Sequence, residues 1–352
     1  MKKVWFAFVA FFAISLASCR EEPDFQNDFY GNFDALAEII DTRYCFFQEK
    51  DIDWDEIRSR YRAKITPETG LLEFYDICSS MLNELKDGHV NLASEFSTSY
   101  YRNWWSDYPQ DFNLRTLQEY YLGFDYYQTS GISYKILDHN IGYMYCPSFS
   151  TGIGELSLDY ILAILYKTDA LIIDIRNNGG GLLTNINVLV GRFISEKTVG
   201  GYIIHKTGPG HEDFSDPYEI VYNPAEEGRI TWSPEKPVFV LTNRSCFSAA
   251  NDFVSVMKTL PNVKIVGAKT GGGGGLPFSS ELPNGWLVRF SACPILAPDG
   301  SVTEFGIDPT PGCVKHCTAE GLASGRDNIL EYAISLARAN DYGATPLRTK
   351  EL

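Results

Sequence analysis

A serine stands where an apolar strand gives way to a helix, in the segment LTNRSCFSAANDFVSVMKTL at residues 241–260. The apolar run at 237–241 predicts the strand, and apolar residues three or four apart after Ser248 predict a helix that ends at Pro261. The Ser248 hydroxyl would then lie beside unpaired backbone N–H groups at the positive end of the helix dipole. That position suits a nucleophile whose reaction develops negative charge. A serine can equally cap a helix there, so this segment alone leaves both roles open.

A glycine-rich turn, RNNGGG at residues 176–181, follows the apolar strand 170–175 and precedes a helix predicted to run to about Glu196. Glycines allow sharp turns with outward-pointing N–H groups, which can bind a phosphate or stabilise an oxyanion. The spacing differs from the dinucleotide-binding pattern, and no P-loop lysine follows. The turn is therefore either an oxyanion site or a simple strand-to-helix connection.

Histidine is scarce, and one of the five lies in a compact polar setting. His89 follows Asp87 and Gly88 between two ordered elements, where neighbours can hold a general base in place. A surface loop histidine is the alternative. The turn at 304–309 carries two carboxylates, one of them Glu304, that either orient a histidine or face solvent.

Apolar residues at helical spacing predict a small N-terminal helical domain over residues 31–92. Residues 93–134 form an aromatic connecting arm whose rings either cover a core edge or line a groove. In the segment at 135–342, predicted strands alternate with predicted helices. This alternation predicts an α/β core, with a mostly parallel sheet and covering helices. Residues 343–352 would be a tail.

The first 19 residues, MKKVWFAFVAFFAISLASC, combine a basic start, a short apolar run and small residues before a cysteine. The run is too short to span a membrane, so residues 1–18 read as a secretory signal. The ending also resembles a bacterial lipobox. We therefore expect a lipidated Cys19, a tether over residues 19–30, and an exported protein of the cell envelope, anchored to the periplasmic or surface face of a bacterial membrane. A plain signal peptide with an incidental cysteine is the alternative.

The composition and net charge of the chain limit the classes of partner that it can bind. The 352 residues are 44% hydrophobic and 21% charged, which is ordinary for a folded globular protein. The formal net charge of −15 argues against nucleic acid or an anionic membrane face as a partner. The seven cysteines after Cys19 are scattered without a CxxC pair, which argues against a zinc site. Export permits disulfides, and Cys313 and Cys317 are close enough in sequence to be considered.

In combination, these segments resemble the C-terminal processing peptidase family of serine peptidases, the group that includes the catalytic core of tricorn protease. The resemblance covers most of residues 40–340. It is carried by IGYMYCPSF, LIIDIRNNGGGLL, SCFSAANDF, IVGAKTGGGG, TEFGIDP and the N-terminal FFQEKDIDWDEIRSRY…LNELKDGHVNL. It implies a ClpP/crotonase-like fold, preceded by the small helical domain and without the PDZ domain of many relatives.

The resemblance implies that Ser248 is the nucleophile. The backbone N–H groups of Ala249 and of a glycine in the turn, best matched by Gly180, would form the oxyanion hole. Relatives of the Ser-Lys kind place their dyad lysine where this chain has Gly273. Lys269 matches an earlier lysine of that motif, which is not the catalytic one.

The tricorn-like branch instead uses a histidine from the N-terminal side, which His89 matches, and Glu304 matches its supporting acidic residue. In tricorn a serine before the histidine links the two. Gly88 stands there in this chain, so another group has to make the link.

The implied function is hydrolysis of protein or peptide substrates through an acyl-enzyme, with no metal or cofactor. The alternatives are a catalytically inactive, surface-anchored binding protein on the same fold, a Ser-Lys processing peptidase, and hydrolysis of a non-peptide ester or amide. The oligomeric state is open.

Overall fold

The computed structural model describes residues 24–339, so the predicted signal, Cys19 and the tail lie outside the described residues. The helices are α1 (Phe29–Arg43), α2 (Trp54–Arg62), α3 (Leu71–Asn83), α4 (Asn103–Ser106), α5 (Leu114–Thr116, continued by a π-helical turn at Leu117–Leu122), α6 (Glu155–Leu165), α7 (Leu183–Val190), α8 (Ala249–Met257), α9 (Ala319–Ala323) and α10 (Asn328–Ala339). The strands are β1 (Asn91–Ala93), β2 (Tyr127–Thr129), β3 (Ile132–Leu137), β4 (Ile141–Tyr145), β5 (Ala170–Asp174), β6 (Thr198–Ile203), β7 (Tyr218–Tyr222), β8 (Val238–Thr242), β9 (Val263–Gly267), β10 (Gly275–Glu281) and β11 (Leu287–Leu296).

A six-stranded sheet in the order β2-β3-β4-β5-β8-β9 forms the centre of the core. The pairings β4–β5, β5–β8 and β8–β9 are parallel, whereas β2–β3 and β3–β4 are antiparallel. Alternate residues of β5 pack on opposite faces: Leu171 and Ile173 contact the cluster of α6, α7 and α8, while Ile172 contacts that of α10. Both faces are covered, which is why these strands are apolar throughout. The predicted α/β fold is confirmed.

A second sheet is antiparallel and was not predicted. It has the order β1-β11-β6-β7, with β10 paired to β11. Two of its strands, β6 and β7, have no recognisable strand pattern in the sequence. β6 carries two glycines, and in β7 only Tyr222 is buried. Neither strand therefore shows a clear alternation of apolar and polar residues.

The N-terminal helices share a hydrophobic cluster with this second sheet. Phe33 and Leu36 of α1 and Phe74 of α3 belong to the same buried cluster as Val288 and Phe290 of β11. Strand β1 also pairs with β11. The segment at 31–92 is therefore packed directly onto the core, which fixes the position of the loop before β1.

The seven cysteines between residues 24 and 339 are all unpaired, Cys313 and Cys317 included. In the same range, no helix combines the length and apolar character needed to cross a membrane. Helix α7 ends at Val190, before Gly191, and is shorter than the sequence predicted.

Candidate active site

Ser248 lies at the turn between β8 and α8 and hydrogen-bonds to a histidine. Its Oγ atom is 3.0 Å from His89 Nε2. The hydroxyl makes no helix-capping bond, although Ser248 occupies the N-cap position. Its backbone, at φ 56° and ψ −126°, is in a region that non-glycine residues rarely adopt. This strained turn directs the hydroxyl away from the helix and toward His89.

Asp87 anchors the loop that carries His89. Its Oδ1 atom accepts the backbone N–H of His89 at 2.8 Å, and its Oδ2 atom accepts the hydroxyls of Tyr44 at 3.0 Å and Ser291 at 2.9 Å. Lys50 Nζ lies 3.2 Å from the same Oδ2. One buried carboxylate thus joins the end of α1, strand β11 and the histidine loop.

Asp87 also keeps its negative charge. Burial by itself raises the pKa of the Asp87 carboxyl. The positive charge of Lys50, the field of His89 and hydrogen bonds from His89 N–H and Ser291 outweigh that effect and lower the pKa below its usual value. The loop is therefore held by charge-assisted hydrogen bonds.

Glu304 contacts Lys50. Its Oε1 atom lies 2.7 Å from Lys50 Nζ, and its Oε2 atom has no hydrogen-bond partner within residues 24–339. Burial, with the nearby charge of Asp87, raises the pKa of Glu304 to about 8 against the opposing effect of Lys50. Two buried carboxyls share one lysine, so Asp87 holds the charge and Glu304 holds a proton at neutral pH.

The connection from Glu304 toward His89 therefore runs through Lys50 and Asp87 to the backbone of His89. Gly88 cannot carry a linking side chain, because a Cβ there would lie 2.7 Å from Trp104 Nε1 and 2.9 Å from Phe247 Cζ. The sequence did not single out Lys50, since nothing local marks a lysine that is buried by distant partners.

The His89 imidazole is buried and neutral. Burial lowers its pKa to about 4; Asp87 opposes this shift, and the positive charges of Arg289 and Lys50 reinforce it. The ring packs 4.7 Å from the Phe247 ring, centroid to centroid. Its Nδ1 atom has no hydrogen-bond partner in the described part of the chain. With Nδ1 protonated, Nε2 is free to accept the Ser248 proton.

The glycine turn packs against Ser248. A Cβ on Gly180 would lie 2.9 Å from Ser248 Cβ, so only glycine allows this approach. The Gly180 N–H, however, donates to Asn178 Oδ1 at 2.9 Å. No acceptor among residues 24–339 takes the N–H of Gly179, Gly181 or Ala249.

Arg176 fixes the base of this turn. It is fully buried, and its guanidinium lies 2.6 Å from Asp174 and 2.8 Å from Asp327. The pair with Asp327 ties the end of β5 to the start of α10. Arg176 therefore supports the position of the turn without facing the cleft.

Neither of the two positions that match lysines of the Ser-Lys motif, Gly273 and Lys269, places a lysine side chain in hydrogen-bond contact with Ser248. A Cβ on Gly273 would lie 2.5 Å from the Phe247 ring. Lys269 lies 3.3 Å from Asp308, with 42% of its side chain exposed. The loop that carries Gly273 does reach Ser248, whose backbone N–H donates to Gly272 O at 2.8 Å, but Gly273 has no side chain that could act as a base. The Ser248 hydroxyl pairs with His89.

A cleft of about 540 Å³ opens over Ser248 and His89. Its lining includes the glycine turn, Arg289, and aromatic residues of the connecting arm, among them Trp104, which stacks on Phe247 at 4.2 Å. The connecting arm therefore lines a groove, which is one of the two roles expected for it from the sequence. No periodic pattern in the arm indicated this, because Trp104 is placed by its tertiary contact with Phe247.

The chain is similar to known peptidases, and the matches define its family. Residues 25–83 match the tricorn protease C1 domain, and residues 140–311 match peptidase family S41. A solved structure from Parabacteroides merdae, described as a candidate peptidase, is 46% identical over 91% of this chain and 100% of that one, with a TM-score of 0.85. The chain belongs to peptidase family S41, and the family expected from the sequence is confirmed.

Other relatives are more distant. The carboxy-terminal processing protease CtpB of Bacillus subtilis is 23% identical over 50% of this chain and 34% of that protein. The tail-specific protease of Haemophilus influenzae is 31% identical over 42% of this chain and 20% of its own. The chain spans about a third of the length of the first curated relatives that it matches. Tricorn protease itself, at 16% identity and a TM-score of 0.54, shares the fold.

The close approach of the glycine turn predicts a position-specific effect of an added methyl group. Gly180→Ala should destabilise the protein by about 1–3 kcal/mol, because Gly180 has φ +95° and an added Cβ would lie 2.6 Å from Phe247 O. Gly179→Ala is the matched control, since no atom lies within 4 Å of its Cβ position. Thermal unfolding of both variants measures the difference, and equal melting temperatures would contradict the packing described.

The environment of His89 predicts its titration. Its imidazole should stay neutral until the pH falls to about 4, rather than protonating near 6.5. The pH dependence of its ring proton shifts in NMR spectra, assigned by the loss of the signal in His89→Gln, measures this value. A midpoint near 6.5 would show that the ring is solvated and not held in the buried position.

Proposed function

We propose that the chain is a serine peptidase that hydrolyses peptide bonds through an acyl-enzyme, with Ser248 as the nucleophile and His89 as the general base. The observation that carries this proposal is the 3.0 Å hydrogen bond between Ser248 Oγ and His89 Nε2, at the start of a helix and within a cleft. Membership of peptidase family S41 supports it.

In the proposed reaction, His89 Nε2 takes the hydroxyl proton as Ser248 Oγ attacks the carbonyl carbon of the peptide. The Ala249 N–H and one N–H of the glycine turn then stabilise the oxyanion, each worth ~3–4 kcal/mol in sites of this kind. Gly179 and Gly181 offer N–H groups without acceptors, and Gly180 offers its own if it releases Asn178. His89 passes the proton to the leaving amine, and later activates the water that hydrolyses the acyl-enzyme.

Glu304 is proposed to act at a distance, as a positioning residue. It helps to hold Lys50, which with Asp87 keeps the His89 backbone in place. In this scheme the imidazole is oriented by its packing against Phe247 and by the fixed backbone, and no carboxylate contacts Nδ1.

Three other functions are less well supported. A Ser-Lys mechanism lacks its base, because glycine stands at position 273 and Lys269 pairs with Asp308. An inactive binding protein would not need the strained turn at Ser248, whose hydroxyl makes no helix-capping bond. Hydrolysis of an ester uses the same groups and accompanies peptide hydrolysis in many such sites. The names of the curated relatives suggest protein substrates cleaved near their carboxyl termini.

We further propose that the protein is exported and lipid-anchored through Cys19. The support is the sequence of the first 19 residues alone, with its basic start, short apolar run and LASC ending. A lipid anchor would tether the peptidase to a membrane without a spanning helix.

Removal of either reacting group should abolish peptide hydrolysis while the fold persists. Ser248→Ala and His89→Ala should each lower kcat on the order of 10⁴-fold or more, because both groups act in the same step. Cleavage of a fluorogenic peptide library, with melting temperatures recorded in parallel, measures both effects.

Lys269→Ala is the matched control for the base, and its activity should stay within about threefold of wild type, since an exposed ion pair contributes little. Loss of activity in Lys269→Ala with retention in His89→Ala would overturn the proposed mechanism in favour of a Ser-Lys site.

The lipid anchor predicts a defined mature end. Protein recovered from the membrane fraction of the producing bacterium should begin at Cys19 and carry added acyl mass, whereas Cys19→Ala should leave that fraction. Intact mass spectrometry and cell fractionation make the comparison. A mature N-terminus elsewhere, without added mass, would refute lipidation.

A further inference from the structure

A second cavity, of about 210 Å³, lies against the helix that follows Ser248. It is formed between α7, α8 and strands of the second sheet. The residues that characterise its lining are Leu183, Asn187, Tyr222, Asp252, Ser255 and Leu276. The size suits one long amino-acid side chain rather than a whole ligand, which usually needs ~300 Å³ or more.

Two polar groups in this cavity have no hydrogen-bond partner within residues 24–339. Asp252 Oδ1 and Ser255 Oγ are buried and make no hydrogen bond with any described residue. Burial raises the pKa of the Asp252 carboxyl to about 7. None of the residues that line the cavity is a lysine or an arginine. Such groups are normally paired, so the cavity is built to receive a donor.

The cavity is also next to both segments of the proposed site. Asp252 and Ser255 lie on one face of α8, and Ser248 is the N-cap of the same helix. The Asp252 N–H donates to Ser248 O at 3.1 Å, one turn along the helix. On the other wall, Leu183 comes two residues after Gly181 of the glycine turn. Both walls of the cavity therefore continue from segments that border Ser248.

We propose that the cavity is the pocket for the substrate side chain beside the scissile bond, and that Asp252 selects lysine or arginine there. The inference rests on the proposed peptidase function and adds a substrate class to it. An ammonium or guanidinium group supplies both the positive charge and the N–H donors that Asp252 lacks, and Ser255 Oγ accepts a further hydrogen bond. The cleft around Ser248 is lined by Arg102 and Arg289 and by no carboxylate. Asp252 is the single acid on α8 and the single acid that lines this cavity.

Matched peptides test the selection. They carry lysine, arginine, norleucine, glutamine or glutamate at one position and are otherwise identical. Wild type should cleave the lysine and arginine peptides with a kcat/KM more than about 30-fold above that for norleucine. Asp252→Asn, which keeps the shape, should lose that preference, through a kcat/KM for the lysine and arginine peptides that falls toward the value for norleucine. Ser255→Ala should reduce the preference in the same direction.

Glu235→Gln serves as the control for removal of an acid, because Glu235 is exposed and lies on the loop before β8. It should leave all five rates unchanged. Melting temperatures of the variants check the fold. Equal wild-type cleavage of lysine and norleucine peptides, or a preference that survives in Asp252→Asn, would overturn the pocket.

Binding to Ser248→Ala protein, measured by calorimetry with the same peptides, separates this proposal from the proposed function. Lysine peptides should bind more tightly than norleucine peptides, and Asp252→Asn in that background should remove the difference. If lysine peptides bind more tightly in this way but wild type hydrolyses no peptide, the proposed peptidase function is refuted and the proposed pocket is supported. Hydrolysis with no dependence on lysine would refute the pocket and support the peptidase.

Discussion

The hydrogen bond between Ser248 and His89 joins residues 159 positions apart, and each partner is placed by a different part of the chain. Ser248 is held by the turn from β8 into α8, whose strained backbone keeps the hydroxyl away from the helix. His89 is held by Asp87 and by the entry into β1, which pairs with β11. The N-terminal helices therefore have to pack onto the second sheet before the pair exists. Assembly of the site therefore depends on the packing between these two parts of the chain.

The charges around His89 show how a neutral base is maintained in a buried site. Lys50 is the cation beside two buried carboxyls, Asp87 and Glu304. Its positive charge stabilises the negative charge on Asp87. One lysine does not balance two carboxylates, and Glu304 is the carboxyl that holds a proton. Removal of Lys50 would leave Asp87 as an uncompensated buried charge, which is among the more destabilising changes available to a core. Asp87 accepts a hydrogen bond from the backbone N–H of His89 and not from its ring. The imidazole is therefore positioned without being made strongly basic.

Sequence patterns located the main parts of the site. The apolar runs that became β5, β8 and β9 are continuous, and the segments after parallel strands meet at one edge of a sheet. That is why the glycine turn after β5 and Ser248 after β8 could be expected at the same edge. The compact polar setting singled out His89 among the five histidines, and the family resemblance then implied its role as the base. The roles of Ser248, His89 and Glu304 stay predictions until they are measured.

Other features of the fold and of the site had no signal in the local sequence. The second sheet is assembled from strands far apart in sequence, and its pairing of β1 with β11 spans most of the chain. Lys50 and Asp252 are ordinary residues in the sequence, and only burial by distant elements gives them their significance. The stacking of Trp104 on Phe247 likewise depends on tertiary contacts. Periodicity reports the faces of single elements, whereas these features arise where several elements meet.

The central claim is that Ser248 is a nucleophile activated by His89. Reaction with a fluorophosphonate tests it most directly, because that reagent forms a covalent bond with an activated serine oxygen. The account predicts a single adduct at neutral pH, mapped to Ser248 by peptide mass spectrometry, and no adduct in His89→Ala. A folded wild-type protein that stays unlabelled, or that is labelled at Ser248 equally well without His89, would contradict it.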